Sequence, residues 1–171
     1  GAARGTGDGG AIGSINISNT AGNIATRNLD TYGNLNGDGG NITVAAATGD
    51  VTVTGRVYSY GGTVNNGHTL AGRNGGNINI SGVNRTITSR VNANGNTAKG
   101  ANQAGGNAGT VAVTGTGTLN VAELYSRNGR TTTDGAGGNV GSITLNGSSV
   151  TATSTISTSG ERNGDAGNID I

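Results

Sequence analysis

The 171-residue chain contains 36 glycines and no Pro, Cys, Met, Trp or Phe; 31% of it is hydrophobic and only 2% aromatic. That composition excludes a thick core of large interlocking side chains, disulfides, thiol chemistry and any membrane helix of about 20 consecutive apolar residues. A formal charge of +1 leaves no strong field to draw nucleic acid or an anionic lipid surface, so neither nucleic-acid binding nor membrane insertion is expected.

The opening Gly1-Ala2-Ala3-Arg4-Gly5-Thr6-Gly7 lacks the apolar stretch of a signal peptide, and we read the chain as mature or as excised from something longer. From residue 13 onward one phrase recurs: glycine, a small polar residue, then two aliphatics separated by one residue. Its copies are Gly13-Ser14-Ile15-Asn16-Ile17, Gly40-Asn41-Ile42-Thr43-Val44, Gly76-Asn77-Ile78-Asn79-Ile80, Gly109-Thr110-Val111-Ala112-Val113, Gly141-Ser142-Ile143-Thr144-Leu145 and Gly167-Asn168-Ile169-Asp170-Ile171. Alternation of this kind marks a half-buried strand, and the interval of 26 to 36 residues between copies marks a repeat architecture.

A second aliphatic follows each phrase 7 to 9 residues after its first aliphatic, at Ile24, Val51, Ile87, Leu119 and Val150. A third follows at 13 to 15 residues, at Leu29, Val57, Val91, Leu124 and Ile156. Three short strands per repeat are therefore predicted, with loops of unequal length after the third; the longest is Thr63-Val64-Asn65-Asn66-Gly67-His68-Thr69-Leu70-Ala71-Gly72-Arg73-Asn74. A three-strand coil buries its few aliphatics only when another coil stacks on it, so stacking supplies the fold. Glycine, and next to it Asn, is expected at corners that need a left-handed backbone. The polar residues Ser14, Asn41, Asn77, Thr110, Ser142 and Asn168 would lie one above another and form hydrogen-bonded ladders along the stack.

The phrases Gly137-Gly138-Asn139-Val140-Gly141-Ser142-Ile143-Thr144-Leu145 and Gly39-Gly40-Asn41-Ile42-Thr43-Val44 resemble the repeats of filamentous-haemagglutinin-type proteins, large two-partner-secreted bacterial exoproteins. The resemblance implies a right-handed parallel β-helix, export through an outer-membrane transporter, and a role as adhesin shaft or toxin-delivery stalk. No amino-terminal secretion domain and no receptor-binding or toxin module of that family is recognisable, so the expected part is shaft.

Candidate chemistry is sparse. The single histidine, His68, sits in the longest loop with no second His and no Cys to share a metal, and is assigned no role. Asp8, Asp38, Asp134 and Asp165 precede Gly-rich stretches, which makes calcium at Asp–Gly loops the one cofactor worth weighing. Their spacing lacks the tandem Gly-Gly-x-Gly-x-Asp period of a calcium roll, and no cofactor is expected. Glu123 and Arg127 read as a solvated ion pair, because exposed pairs are common and contribute little. Thr52 with Thr54 and Thr151 with Thr153 suggest an ice-binding face, but the fourth coil offers Asn120 and Ala122 instead, and the third is read as offering only Thr88. Sequons such as Asn84-Arg85-Thr86 and Asn146-Gly147-Ser148 arise readily at this composition. The Gly-x-Gly matches lead into strands, where no helix N-terminus awaits a phosphate.

The expectation is thus all-β: one parallel β-solenoid over residues 1–171, with three short strands per coil in five to six coils and Gly/Asn-rich loops. We expect no catalytic, cofactor-binding or metal-ligating residues, and a non-enzymatic structural role in a secreted or cell-surface fibre or adhesin. The expected partners are neighbouring coils, further copies of the same chain, and surface glycans of a host or environment. Two alternatives stand beside it. One is a filament subunit stacking end to end through strands such as Gly167–Ile171. The other is a carbohydrate-binding or polysaccharide-processing β-helix, which would need a cluster of acids or aromatics across adjacent coils; the sequence marks none.

Overall fold

The computed structural model describes residues 9, 12–64, 69–132 and 134–171. Among them are fourteen strands and no helix. The first pass of the chain carries β1 (Ile15–Asn19), β2 (Ile24–Thr26) and β3 (Leu29–Asp30), and the second carries β4 (Ile42–Ala46), β5 (Val51–Val53) and β6 (Val57–Tyr58). In the third and fourth passes the second and third strands run together: β7 (Ile78–Gly82) is followed by β8 (Arg85–Asn92), and β9 (Val111–Gly115) by β10 (Thr118–Tyr125). The fifth pass has β11 (Ile143–Asn146), β12 (Ser149–Ala152) and β13 (Ile156–Ser157), and β14 (Ile169–Asp170) follows.

Every strand pairs in parallel with its counterpart in the adjacent pass, which makes the chain a β-solenoid. The first strands form one six-stranded sheet, β1-β4-β7-β9-β11-β14; the second and third strands form an eight-stranded sheet with the path β12-β10-β8-β5-β2. In the first sheet Ile15, Ile42, Ile78, Val111, Ile143 and Ile169 lie in one register file, as the repeated phrase predicts. The third-strand file of Leu29, Val57, Val91, Leu124 and Ile156 is likewise as expected. These files are the core: Ile42, Val44, Ile80, Val57, Val91, Leu124 and Ile143 are wholly buried. Ile169 and Ile171, in the last pass, are 43% and 72% exposed.

The second strand departs from expectation. Val51 faces Arg85, and Arg85 faces Leu119; Ile87, read from spacing as the partner of Val51, lies instead between Val53 and Val121. An arginine therefore occupies a core position in the aliphatic file Ile24, Val51, Arg85, Leu119, Val150, and it is fully buried.

Glycine is used differently from expectation too. Among the described glycines only Gly22 and Gly100 have left-handed backbones, while Asn36, Asn102 and Asn163 take that conformation themselves. The leading glycines are needed for close approach: a Cβ on Gly40, Gly76, Gly109, Gly141 or Gly167 would run into the carbonyl oxygen of the glycine one pass earlier. Four of the five passes are closed nearby by a hydroxyl, at Thr31, Ser59, Ser126 and Thr158, while the third has Ala93 in that place. Thr31 and Thr158 donate their hydroxyls to the carbonyls of Gly40 and Gly167 at 2.7 and 2.8 Å, and Ser126 donates to Gly109 at 2.6 Å. Buried hydroxyls thereby satisfy carbonyls that turn away from the ladder.

The loop expected at 63–74 is partly paired: Leu70 forms an antiparallel bridge with Lys99 of the next pass, and Val64 is buried. His68 lies outside the described residues, as does Asp8.

Candidate functional site

Polar ladders run along three corners of the stack. At the entry to the first strand, Asn41 Oδ1 accepts the Asn77 N–H at 2.9 Å, and Asn77 Oδ1 accepts both the N–H and the hydroxyl of Thr110, at 2.9 and 3.1 Å. Three residues earlier in the chain a second ladder links Asp38, Asn74, Asn107 and Asn139, each N–H donating to the side-chain oxygen one pass earlier at 2.8 Å. The third, before the second strand, links Asn23, Asp50, Asn84 and Thr118 at 2.8 to 3.0 Å. Of these the sequence marks only the first. Asp38, weighed there as a calcium ligand, has its Oδ1 committed to Asn74. Asp134 and Asp165 are exposed, and no group of three or more His, Asp or Glu side chains converges among the described residues. The Asn84 side chain of the first sequon donates to Asp50 at 3.0 Å, so that ladder uses its nitrogen.

Arg85 is held by backbone alone. Nη1 donates to the carbonyls of Gly82, at 2.6 Å, and Val83, and Nη2 reaches the carbonyl of Asn146 two passes away at 2.9 Å. Its Nε is buried without a partner. A Cβ on Gly115 would strike the guanidinium, so this glycine keeps the path open. Burial lowers the Arg85 pKa from its ordinary value, and the nearby Asp50 carboxylate opposes that shift. The arginine is a staple between the third and fifth passes and has no solvent-facing atom to offer a ligand.

The face outside the third strand is where chemically distinctive side chains collect. Because Leu29, Val57, Val91, Leu124 and Ile156 point inward, their immediate successors Asp30, Tyr58, Asn92, Tyr125 and Ser157 form one outward row. Tyr32 and Tyr60 stand two positions further on and stack with ring centroids 5.0 Å apart; Tyr58 meets Tyr60 edge-on at 5.5 Å. All four tyrosines of the chain, its only aromatic residues, therefore lie on one face. The sequence marks no aromatic cluster across coils, and the fold corrects that expectation by bringing Tyr32, Tyr58 and Tyr60 together. The signal was there: Tyr32, Tyr58, Tyr60 and Tyr125 all stand one or three residues after a third-strand aliphatic, an odd offset that places them outward together.

Arginines and acids interleave with the tyrosines. Arg56 grips Asp30 of the previous pass through Nε at 3.0 Å and Nη2 at 2.9 Å, with its guanidinium carbon 5.2 Å from the Tyr58 ring centre. Glu123 does not pair with Arg127 as the sequence suggests. It takes Arg90 Nε of the previous pass at 2.7 Å, while Arg127 lies over Tyr125 at 4.6 Å and donates to the Ser157 hydroxyl at 3.0 Å. Arg130 pairs with Glu161 at 2.5 Å. Hydrogen bonds to Asp30 and Glu123 raise the pKa values of Arg56 and Arg90 above the ordinary arginine value. Burial raises the Tyr60 phenol, which stays a hydrogen-bond donor at neutral pH.

Beside this face an open groove of about 460 Å³ is lined by Tyr58, Thr88, Ser89, Arg90, Ala122, Glu123 and Ser154, contributed by four successive passes. Its origin lies in corner length. Two residues, Ala122 and Glu123, connect the core positions Val121 and Leu124, whereas three connect Ile87 to Val91 and Ala152 to Ile156. The register shifts at Val121/Glu123 accordingly, and the shorter corner with its small Ala122 lies between two longer ones. Such irregularities break an otherwise uniform sheet and re-aim side chains.

The threonine face is also revised. Thr86 lies beside Thr52 and Thr88 donates to the Thr54 carbonyl at 3.4 Å, so the third pass supplies two threonines in place of the one expected. Asn120 still stands between Thr86 and Thr151, and Ala25 precedes Thr52.

The class that this geometry defines is the parallel β-solenoid. No family model matches the chain, and neither curated proteins nor solved structures provide a match.

Proposed function

We propose that the chain is a shaft segment of a secreted or cell-surface bacterial fibre or adhesin, of the kind built from filamentous-haemagglutinin-type repeats, acting as a stiff spacer without catalysis. The observation that carries this reading is the continuity of bonding along the stack: backbone hydrogen bonds between successive passes are reinforced by side-chain ladders at three corners. A solenoid so bonded contacts only its neighbouring coils and extends in proportion to coil number, which suits reach and rigidity. Three of its acids, Asp30, Glu123 and Glu161, are paired with arginines across passes, an arrangement that favours structure over proton transfer at those positions.

The test has two arms. A tandem duplication of residues 12–171, viewed by electron microscopy, should give rods lengthened by about 4.8 Å for every added coil. In the source cells, an antibody to the segment should label intact cells and lose its epitope on external protease treatment. Compact particles that do not lengthen, or an epitope reached only after lysis, would refute the shaft reading.

A further inference from the structure

We propose that the groove at the corner between the second and third strands binds a neutral oligosaccharide, through hydroxyl contacts to the Arg90–Glu123 pair and ring contact with Tyr58. This inference is independent of the shaft reading, since a spacer with no lateral ligand would need no such groove.

Sugar hydroxyls donate and accept at once, and the groove offers both functions side by side in fixed positions. Arg90 Nε and Glu123 Oε2 hold each other at 2.7 Å. No hydrogen bond from the described residues reaches Glu123 Oε1 or the two Nη groups of Arg90, whose guanidinium lies over the Tyr125 ring with its carbon 5.2 Å from the ring centre. The side chains are 47% and 31% exposed, so solvent, and hence a solute, reaches both. Thr88, Ser89 and Ser154 add hydroxyls along the groove. Tyr58 lines one end and supplies a flat apolar surface of the sort that the C–H face of a pyranose covers, with its phenol as a polar tip. The volume of about 460 Å³ lies within the usual range of ligand sites. Passage across four successive passes, three spacings of about 4.8 Å each, gives it the length of a short oligosaccharide.

Charge decides between classes of glycan. Arg56, Arg90 and Arg130 are each matched by a carboxylate of an adjacent pass, and Arg127, bonded to the Ser157 hydroxyl, is the one arginine named on this face without such a match, so the face has only a small net charge to offer a polyanion. An extended peptide is disfavoured as well. Such ligands add a strand to an open sheet edge, and the groove lies on the lateral face of strands already paired on both sides.

The experiment is a titration of the ¹⁵N-labelled protein with cellohexaose, chitohexaose and mannohexaose, with oligogalacturonate as the acidic comparator. At least one neutral probe should shift the amide resonances of Thr88–Arg90 and Ala122–Glu123. Glu123→Gln keeps the shape of the side chain while weakening the paired site, and should lower affinity about tenfold. Ala122→Arg should abolish binding by filling the groove, and Asn79→Ala, on the far sheet, should leave it unchanged. Circular dichroism establishes that each variant is folded, and Glu123→Gln carries the test if Ala122→Arg is not. The proposal is overturned if no neutral probe shifts these resonances at millimolar concentration. It is equally overturned if binding survives both groove variants, or if only oligogalacturonate binds and high salt removes it.

Discussion

The two sheets of this solenoid obey one stacking rule and reach different results. In the first sheet, Ile15, Ile42, Ile78, Val111, Ile143 and Ile169 form an uninterrupted aliphatic file. In the second, the file from Ile24 to Val150 contains a fully buried arginine. What a position tolerates is set by the polar groups within reach of it as well as by its burial. At Arg85 the chain turns between strands, and the carbonyls of Gly82, Val83 and Asn146 point where a guanidinium can collect them. Two of these carbonyls end first-sheet strands, Gly82 closing β7 and Asn146 closing β11, so the guanidinium is bound at the corner between the sheets, whereas the aliphatic file of the first sheet lies within the strands.

Substitutions ordered by expected cost sharpen that contrast. Ile78→Asp places a carboxylate in the wholly aliphatic file and should cost about 4 kcal/mol or more, enough to abolish cooperative unfolding in urea for a marginally stable domain. Arg85→Met retains length and apolar volume but leaves carbonyls of the third and fifth passes without their donor. A loss of about 2 kcal/mol is expected from the shift in urea midpoint, and an unchanged or raised midpoint would mean that the arginine is merely tolerated. Asn77→Ala removes one rung of a solvent-facing ladder, including two acceptor contacts with Thr110, and should cost about 1 kcal/mol by the same measurement. Thr69→Asp, on an exposed loop residue, should stay within about 0.5 kcal/mol of the parent. If the loop and core substitutions cost the same, the division into core and loop is wrong.

The legibility of the fold followed the same line between sheets. The first and third strands were readable because glycine, a polar residue and alternating aliphatics recur with the register itself. The second strand was misread in the third pass. An inward Arg85 carries no apolar signal, so Ile87 two residues later took its place in the reckoning, and Thr86 was lost from the threonine row. Glycine was recognised at the right positions for the wrong reason, because close approach between passes leaves the same mark on a sequence as a left-handed turn. The outward face was the least legible part. Four tyrosines scattered over 94 positions, from Tyr32 to Tyr125, become neighbours only after register is known, and Glu123 sits nearer in sequence to Arg127 than to its true partner Arg90.

Register in the second strand is the central claim, and disulfide trapping reads it directly. The chain has no cysteine, so a double substitution introduces the only pair. Thr52 lies beside Thr86 in the structure, whereas the spacing of aliphatics alone would place Thr52 beside Thr88. A disulfide needs Cα atoms within about 7 Å, which adjacent positions on neighbouring parallel strands satisfy and positions offset by two residues do not. Under mild oxidation, Thr52→Cys with Thr86→Cys should crosslink rapidly and nearly completely, and Thr52→Cys with Thr88→Cys should remain reduced. The reverse pattern would place Ile87 in the file opposite Val51, remove Arg85 from the core and contradict the account.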